Sequence, residues 1–377
     1  MISISKLIEK VEKINPNNHE GSWKYIDIAS VDRFQKKIVL DSVSDITADS
    51  APSRARQLVL AGDIIISTVR PNLNTVAIVP KELDGAIAST GFCVLRPNKE
   101  MVDTKYLFHY IKSDDFVGKL VKLATGANYP AVSDKIIKEQ YLKKISLCEQ
   151  KNIAAILDKA EGIRQKREKA IKLADDFLCA TFLEMFGDPV ENPKGWQRMK
   201  FSEVGTLDRG KSKHRPRNAP ELLGGIHPLI QTGDVANSGG YITDYFSTYS
   251  DIGLAQSKMW KKGTLCITIA ANIAKTGILT FDACFPDSVV GFQPNQHVEI
   301  EFIQHWLGFL QKQLEETAPE VAQKNINLAI LRDLDVIVPD KALQMKFKGV
   351  VKKVRELKEK YHNFPDIQPV LSSFHLS

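Results

Sequence analysis

The feature that most constrains the fold is an ordered series of segments that occurs twice along the chain. A turn glycine is followed by a β-rich run at residues 61–68 and again at residues 262–268, which is typical of a strand that begins at a tight turn. Further apolar strands, an apolar helical pattern and a short closing strand, near Ile145 and at residues 336–338, follow in the same order both times. The sequence therefore predicts two similar domains.

Each half closes with a charged, helix-forming stretch, at about residues 149–186 and 343–364. Apolar side chains recur in both with the spacing of a heptad seam. The predicted seam, which is also a candidate surface for docking partners, consists of Ile153, Ile156, Ala160, Ile163, Ala170, Phe177, Phe347, Val350, Val354, Leu357 and Tyr361. About forty helical residues span about 60 Å, more than the width of a small domain. We therefore expect each helix to pack on the other in a coiled coil.

Glycine and proline mark the clearest boundary in the chain, at residues 187–189 and 192–195, because both residues end helices. The predicted segments are a first globular domain at 1–147, a central helix and linker at 148–190, a second globular domain at 191–339, a C-terminal helix at 340–364 and a tail at 365–377.

Composition excludes several classes of protein. Of the 377 residues, 43% are hydrophobic and 25% are charged, which is normal for globular domains. The net charge of +6 permits nucleic-acid binding without requiring it. Five widely spaced cysteines argue against a disulfide framework or a zinc site and favour a reducing cytoplasm. The charged N-terminus and the absence of a long apolar run predict a protein that is neither secreted nor membrane-spanning.

The pattern resembles the specificity (S) subunit of type I restriction-modification systems. The resemblance covers nearly the whole chain. It rests on the duplicated glycine-strand segment, on Glu-Gln-Lys-x-Ile at residues 149–153, and on the Phe-Gly-Asp-Pro-x-x-Asn-Pro-x-Gly-Trp link at residues 186–196. It implies an α+β fold with two similar α/β target-recognition domains, each followed by a long helix, and the two helices packed as an antiparallel coiled coil. The second closing stretch is shorter than the first, so the part of the first helix beyond Phe177 is expected to pack on a globular domain.

The resemblance also implies a division of labour. Each recognition domain reads one half of a bipartite site in double-stranded DNA, and the helices set the gap between the half-sites. Two methyltransferase subunits dock on the helices, and restriction/translocase subunits join them. S-adenosylmethionine, ATP and magnesium are then expected on the partner subunits, with no cofactor and no catalytic residue in this chain.

Residues that meet DNA are expected in basic and amide-rich loops, because Lys and Arg contact phosphates while Arg, Lys, Asn and Gln read base edges. The densest basic loop lies at residues 209–218. The candidates in the first domain are Arg54, Arg56, Arg70, Asn72, Asn74, Asn128 and Tyr129. The candidates in the second domain are Arg209, Lys211, Lys213, His214, Arg215, Arg217, Asn272, Lys275, Gln323, Lys324 and Asn325.

One stretch of the sequence matches a catalytic motif but lacks the structural context that the motif needs. Residues 205–212 fit G-x-x-x-x-G-K-[ST], the phosphate-binding loop of nucleotide hydrolases, but that loop works only between a buried strand and the start of a helix. The preceding residues 200–204 make a poor buried strand, and two prolines follow, so we interpret the match as a chance one. The alternative that remains open is a stand-alone sequence-specific DNA-binding or scaffolding protein.

Overall fold

The computed structural model describes residues 1–270, 274–317 and 327–362. The chain divides into two compact units, Met1–Lys166 and Arg167–Phe364. A single helix of 40 residues, α4 (Leu147–Phe186), contributes residues to both. The duplication predicted from the sequence corresponds to these two units, each of which has its own sheets and core.

The first unit is built on two four-stranded sheets. Its strands are β1 (Ile2–Ser3), β2 (Ile8–Glu9), β3 (Ser22–Ile26), β4 (Val31–Asp32), β5 (Lys37–Ile38), β6 (Ser44–Thr47), β7 (Ala55–Leu58), β8 (Ile64–Ser67), β9 (Val76–Ile78), β10 (Ile87–Ser89), β11 (Phe92–Pro97) and β12 (Tyr141–Leu142). The sheets run in the order β6-β3-β10-β7 and β2-β11-β8-β9, and β1-β12 and β4-β5 form separate pairs. The closing strand β12 thus ends before Ile145, where the sequence placed it, and Ile145 lies between β12 and α4.

Strand β8 explains why its sequence is apolar without alternation. It pairs antiparallel with both β11 and β9, so it has no exposed edge. Ile64 and Ile66 point into one apolar cluster and Ile65 into another, since neighbouring side chains of a strand lie on opposite faces. Both faces are covered, and all four residues of β8 are buried.

Three short helices pack on the first unit's sheets: α1 (Thr104–Lys112), α2 (Asp114–Leu123) and α3 (Asp134–Lys138). Each begins at a side chain that accepts a hydrogen bond from the first turn, namely Asp103, Ser113 and Ser133, which satisfies amides that have no partner within the helix. The N-terminal part of α4 joins the same core through Ala154 and Leu157.

The second unit repeats this arrangement. Its strands are β13 (Gln197–Lys200), β14 (Gly205–Arg209), β15 (Leu223–Leu229), β16 (Tyr241–Ile242), β17 (Ser247–Tyr249), β18 (Met259–Trp260), β19 (Leu265–Thr268), β20 (Thr276–Leu279), β21 (Ala283–Cys284), β22 (Val289–Pro294) and β23 (Asp335–Val338). The sheets run in the order β14-β22-β19-β20-β16 and β17-β15-β21-β18, with β13-β23 as a pair. The sheets β6-β3-β10-β7 and β17-β15-β21-β18 share a further feature. The two central strands of each are parallel, β3 with β10 in the first unit and β15 with β21 in the second.

The helices of the second unit are α5 (Thr232–Ala236), α6 (Asp251–Ala255), α7 (Ile300–Thr317), α8 (Leu328–Asp333) and α9 (Lys341–His362). Within this unit, the C-terminal part of α4 packs antiparallel to α9. The ring of Phe182 lies 5.5 Å from that of Phe347, near the start of α9, whereas Asp175, earlier in α4, pairs with Lys358 near the end of α9 at 2.6 Å. The expectation that α4 packs on a globular core beyond Phe177 is confirmed, because Leu178, Phe182 and Phe186 are buried in the core of the second unit.

The predicted heptad seam is distributed unevenly. Ala160, Phe347 and Val354 are buried; Ile153, Ala170, Val350 and Tyr361 are partly buried; Ile156, Ile163, Phe177 and Leu357 are exposed. Phe177 and Leu357 therefore lie on exposed sides of their helices in the second unit, and their seam assignment stays a prediction. Helix α4 instead buries Leu178, Phe182 and Phe186, spaced every four residues, as a helix does on a globular core. The docking of partners on the exposed positions stays a prediction.

The link after α4 is a helix-ending motif. Gly187 adopts a left-handed φ of 78°, and its amide donates to the carbonyl of Leu183 at 2.8 Å. The indole of Trp196 donates to the Phe186 carbonyl at 2.8 Å, and the Asn192 side chain bonds both the amide and the carbonyl of Trp196. These contacts satisfy carbonyls left open at the helix end, which explains why glycine, asparagine and tryptophan occur together there.

Candidate nucleic-acid interface

Hydrogen bonds at one edge of the first unit bring together the segments that carry its candidate residues. The Thr90 amide donates to the carbonyl of Arg54 at 2.8 Å, and the Thr68 amide donates to the carbonyl of Gly91 at 2.9 Å. Thr68 leads directly into Arg70. Because Thr90 and Gly91 are consecutive, the loops that carry Arg54 and Arg70 lie side by side at this edge.

The Arg70 loop is tightly constrained. Arg70 and Asn74 flank a 3-10 turn, Pro71–Leu73, and both have left-handed backbones with φ of 51° and 48°. The Arg70 amide donates to the carbonyl of Pro130 at 2.7 Å, and its guanidinium lies 4.8 Å from the centre of the Tyr129 ring. Arg70, Asn72 and Tyr129 are exposed. A cation stacked on an exposed ring can bind a phosphate or stack on a base.

A short closed loop presents Asn128 and Tyr129 beside Arg70. Thr125 and Ala131 exchange two backbone hydrogen bonds, at 3.0 and 2.8 Å. Gly126, inside this loop, has a φ of 103°, and a Cβ there would lie 2.9 Å from the Tyr129 carbonyl oxygen, so glycine permits the close turn. Asn128 is exposed. The structure thus joins Asn128 and Tyr129 to the edge that carries Arg54, Arg70 and Asn72.

Two of the predicted residues face partly inward. The Arg56 side chain is half-buried, and its Nη1 donates to the carbonyl of Ala55 at 2.8 Å. The Asn74 side chain donates to the carbonyl of Lys112 at 3.0 Å. Both side chains therefore have backbone carbonyls of the protein itself as hydrogen-bond acceptors.

A partly buried charge cluster behind the Arg70 loop was missed from the sequence. Lys36 donates to the carbonyl of Asn74. Burial and the neighbouring charge of Lys112 lower the pKa of Lys36 to about 8, and burial also lowers the pKa of Lys112. A hydrogen bond from Arg164 lowers the pKa of Glu161, on α4, to about 2. Lys36, in the β4–β5 hairpin, and Lys112, in α1, thus lie close to Asn74 at the end of the Arg70 loop. No local sequence pattern indicates that these residues meet.

The basic loop of the second unit, residues 209–218, is fixed at its base. The Gly210 amide donates to the Val289 carbonyl at 2.9 Å, and a Cβ on Gly210 would lie 2.2 Å from the carbonyl oxygen of Phe285. The Gln256 side-chain oxygen accepts from the amides of Lys213 and His214, at 2.6 and 3.1 Å. The loop's backbone is therefore held against the segment that follows β21.

The tip of this loop carries two arginines that share one carboxylate. Nη2 of Arg217 and Nη2 of Arg215 face the two oxygens of Asp287, at 2.5 and 3.5 Å. His214 lies 3.8 Å from Glu221. Arg209, Lys211 and Lys213 are exposed. The loop thus presents exposed cations, as predicted, but the partner Asp287 gave no signal in the sequence.

Lys275 lies at the same edge as this loop. The Thr268 amide donates to the Lys275 carbonyl at 2.9 Å, and the next amide, that of Ile269, donates to the Ser288 carbonyl at 3.1 Å. Ser288 directly follows Asp287, so Lys275 and the basic loop lie together. The candidates Asn272, Gln323, Lys324 and Asn325 lie outside the described residues.

The phosphate-binding-loop match at residues 205–212 is rejected by the structure. Gly205–Arg209 is the strand β14, which pairs along its length with β22. The chain then continues through the basic loop to a 3-10 turn at Pro220–Leu222 and into β15. No α-helix begins between residue 212 and the start of β15, so no helix N-terminus follows the match to bind a nucleotide phosphate.

The residues with described coordinates contain no group of three or more His, Cys, Asp or Glu side chains placed to hold a metal ion. No helix among them is long and apolar enough to cross a membrane. Cys93, Cys266 and Cys284 are buried, and burial raises the pKa of each thiol.

The chain consists of two similar α/β units. Each unit carries basic loops at one of its edges and a helix at its end, which is the arrangement of a protein built from tandem recognition domains. The chain belongs to the family of the type I restriction modification DNA specificity domain, whose family model matches it twice, at residues 6–173 and 193–356.

Among known proteins, the chain is similar to the Type I restriction enzyme HindI specificity subunit of Haemophilus influenzae, with 22% identity over 371 residues, 78% of this chain and 80% of the relative. Two solved structures share its fold. One is a type I restriction-modification system S subunit from M. genitalium, with a TM-score of 0.59 and 15% identity, covering 99% of this chain and 91% of that chain. The other comes from work on complex assembly and conformational transition of the type I R-M system, with a TM-score of 0.54 and 24% identity, covering 100% and 95%.

Proposed function

We propose that this chain is the DNA-specificity subunit of a type I restriction-modification complex and that each unit reads one half of a bipartite DNA site. One observation carries the proposal: each of the two family matches covers one of the two units, and both units present basic loops at equivalent edges. Exposed arginines and lysines at such an edge suit phosphate contacts, and arginine and asparagine suit base edges.

The helices serve as the spacer and the docking surface in this proposal. Helix α4 has 40 residues, which corresponds to about 60 Å, and exposed apolar side chains such as Ile156, Ile163 and Leu173 lie along it. Two methyltransferase subunits dock on the helices, and restriction/translocase subunits complete the complex. Exposed apolar side chains on a helix favour a protein partner over DNA.

The chemistry belongs to the partners in this proposal. The phosphate-binding-loop match forms a paired strand, and the candidate interface consists of cations, amides and aromatic rings. S-adenosylmethionine, ATP and magnesium are bound by the partner subunits, and this chain supplies the sequence to which they are directed.

A methylation map tests the proposal directly. The full chain is expressed with the methyltransferase subunit of its own system in a host that lacks DNA methylation, and modified bases are located across the genome. We expect a split motif with a fixed gap that disappears when this chain is omitted. A control with Arg215→Ala and Arg217→Ala should weaken methylation of the same motif. If no motif appears, or the motif is indifferent to this chain, the protein is a stand-alone DNA-binding or scaffolding protein.

A further inference from the structure

Asp287 has an unusual position for an acid. It lies in the turn between β21 and β22, at the edge where we propose that the second unit meets DNA, and a negative charge there opposes phosphate binding. Its carboxylate contacts the Nη2 atoms of both Arg215 and Arg217. An acid at a DNA-facing edge therefore calls for a function that outweighs its repulsion of the phosphates.

We propose that Arg217 reads a base edge in the second half-site and that Asp287 is the positioning residue that orients its guanidinium. This inference rests on the proposed function and adds to it the residue pair that determines specificity at one base pair. The chemistry recognised is a pair of acceptors on a base edge, which guanine presents in the major groove as O6 and N7.

The two arginines differ in how many of their donors are occupied. Nη1 of Arg215 donates to the carbonyls of Ser212 and His214, at 2.5 and 2.8 Å, while its Nη2 faces Asp287. Both terminal nitrogens of Arg215 therefore have partners, Nη1 within the loop and Nη2 at Asp287. Arg217 contacts Asp287 through Nη2, and its Nε and Nη1 make no hydrogen bond within the described residues. A guanidinium has five N–H donors, so one edge of the Arg217 fork remains available for two acceptors.

The loop does not need Asp287 to keep its backbone in place. Gln256 accepts from two loop amides, and the Ser257 hydroxyl donates to the Lys211 carbonyl at 2.8 Å. The Asp287, Arg215 and Arg217 side chains are 37%, 55% and 45% exposed, and ion pairs this exposed contribute little to stability. Asp287 thus controls where the arginine heads point, with the loop backbone held by other residues.

The first unit shows that the fold itself does not require an acid at this position. The bond from Thr68 to Gly91 corresponds to the bond from Ile269 to Ser288. Thr90, which precedes Gly91, therefore stands in the first unit where Asp287 stands in the second. The same edge is built with a threonine in one unit and an aspartate in the other, so the carboxylate reflects what the second unit recognises.

The experiment compares Asp287→Asn and Arg217→Ala in the full chain with its methyltransferase partner. Asp282→Asn is the matched control: it removes one carboxylate from the same unit, where Asp282 pairs with Lys261, at the opposite end of β21 from Asp287. Methylated motifs are mapped for each variant. Binding of the purified chain is measured on the target duplex and on a duplex of mixed sequence.

We expect both variants to relax the same single position of the second half-site. They should lower affinity for the target duplex by roughly fivefold to a hundredfold, the discrimination of one bidentate contact. Asp287→Asn should leave affinity for mixed-sequence DNA unchanged or raise it, because a negative charge has been removed. Asp287→Glu, which retains the carboxylate, should keep the base preference. The control should change affinity for both duplexes equally and leave the motif intact.

Three results would overturn the inference. Asp287→Asn could leave the motif and the target affinity unchanged, which would make the carboxylate a simple counter-ion. It could weaken binding to both duplexes together, which would make its role structural. Arg217→Ala could leave the motif intact, which would remove Arg217 from base reading. The methylation map of the wild type separates this inference from the proposed function. If the wild type produces no methylated split motif, the proposed function itself is refuted, before any variant is compared.

Discussion

Gln150 and Gln344 make the same three hydrogen bonds in the two units. The side-chain oxygen of Gln150 accepts from the Asp103 amide at 2.9 Å, and its nitrogen donates to the carbonyls of Met101 and Ile145. Gln344 accepts from the Glu299 amide at 2.8 Å and donates to the carbonyls of His297 and Pro339. Each glutamine thus ties the start of a long helix to a residue that follows the preceding strand and to the residues just before α1 or α7.

Replacing either glutamine with leucine should destabilise its unit. The two side chains are 4% and 0% exposed, and a leucine would leave one buried amide and two carbonyls without partners. The expected loss is about 1–3 kcal/mol for each variant, measured by urea unfolding of the full chain. Gln35→Leu and Gln296→Leu, at exposed positions, are the controls and should change the free energy of unfolding little. Equal effects at buried and exposed positions would show that the three bonds do not matter.

Lys36 should make stability depend on pH in the alkaline range. Its pKa is about 8 in the folded protein against an ordinary value of 10.5, because of burial and the charges of Lys112 and Arg33, which outweigh Glu161 and Asp32. Between these two values the unfolded chain binds a proton that the folded chain has lost. The free energy of unfolding therefore rises with pH from about 8 to 10.5.

The test is the difference in slope between the wild type and Lys36→Met, from urea unfolding at pH 7 to 10. Lys36→Met should lack the rise above pH 8, and Lys37→Met, at the exposed neighbouring position, should retain it. Parallel curves for the wild type and Lys36→Met would mean that Lys36 titrates alike in the folded and unfolded chains.

A negative charge at Thr90 should weaken DNA binding by the first unit. Thr90 is exposed, and its amide bonds the carbonyl of Arg54, so Thr90→Asp puts a carboxylate at the proposed interface. Affinity for DNA should fall by about three- to tenfold, and the slope of log affinity against log salt should decrease by about one. Lys99→Gln changes net charge by the same amount at the other end of β11 and should have a smaller effect. An equal effect from both would place the Thr90 edge away from DNA.

Shortening α4 by one heptad should narrow the gap in the methylated motif. Deleting residues 161–167 removes about 10 Å of helix, which equals about three base pairs, and turns the following residues by only about 20°. The deletion also brings Glu168 into the position of Glu161. Gly162→Ala is the control, because a Cβ there meets no atom within 4 Å and the helix keeps its length. A gap that stays constant after the deletion would refute the spacer role of α4.

The sequence predicts the domain plan well because the plan depends on local signals. The turn glycines, the apolar run of β8 and the helix-ending link around Gly187 each fix the backbone within a few residues. Which side of α4 is buried was harder to predict. Helix α4 packs on a globular core through Leu178 and Phe182, and their spacing of four residues also occurs within a heptad pattern.

The candidate interface was predictable at the level of loops and much less so at the level of side chains. The basic loop at residues 209–218 stands out by composition. Lys36 and Asp287 do not, because each acquires its role from contacts with residues far away in the sequence: Lys36 with Asn74, and Asp287 with Arg217.

The paired glutamines have a consequence for how such a protein evolves. They fasten each helix to its unit through backbone atoms, whose positions do not depend on the side chains at the opposite edge. Residues in the edge loops can therefore differ, as Thr90 and Asp287 do between the two units, without changing the hydrogen bonds of Gln150 and Gln344. Under the proposed function, an exchange of loop residues alone then gives the complex a new target, and the surfaces that the partner subunits meet stay unchanged.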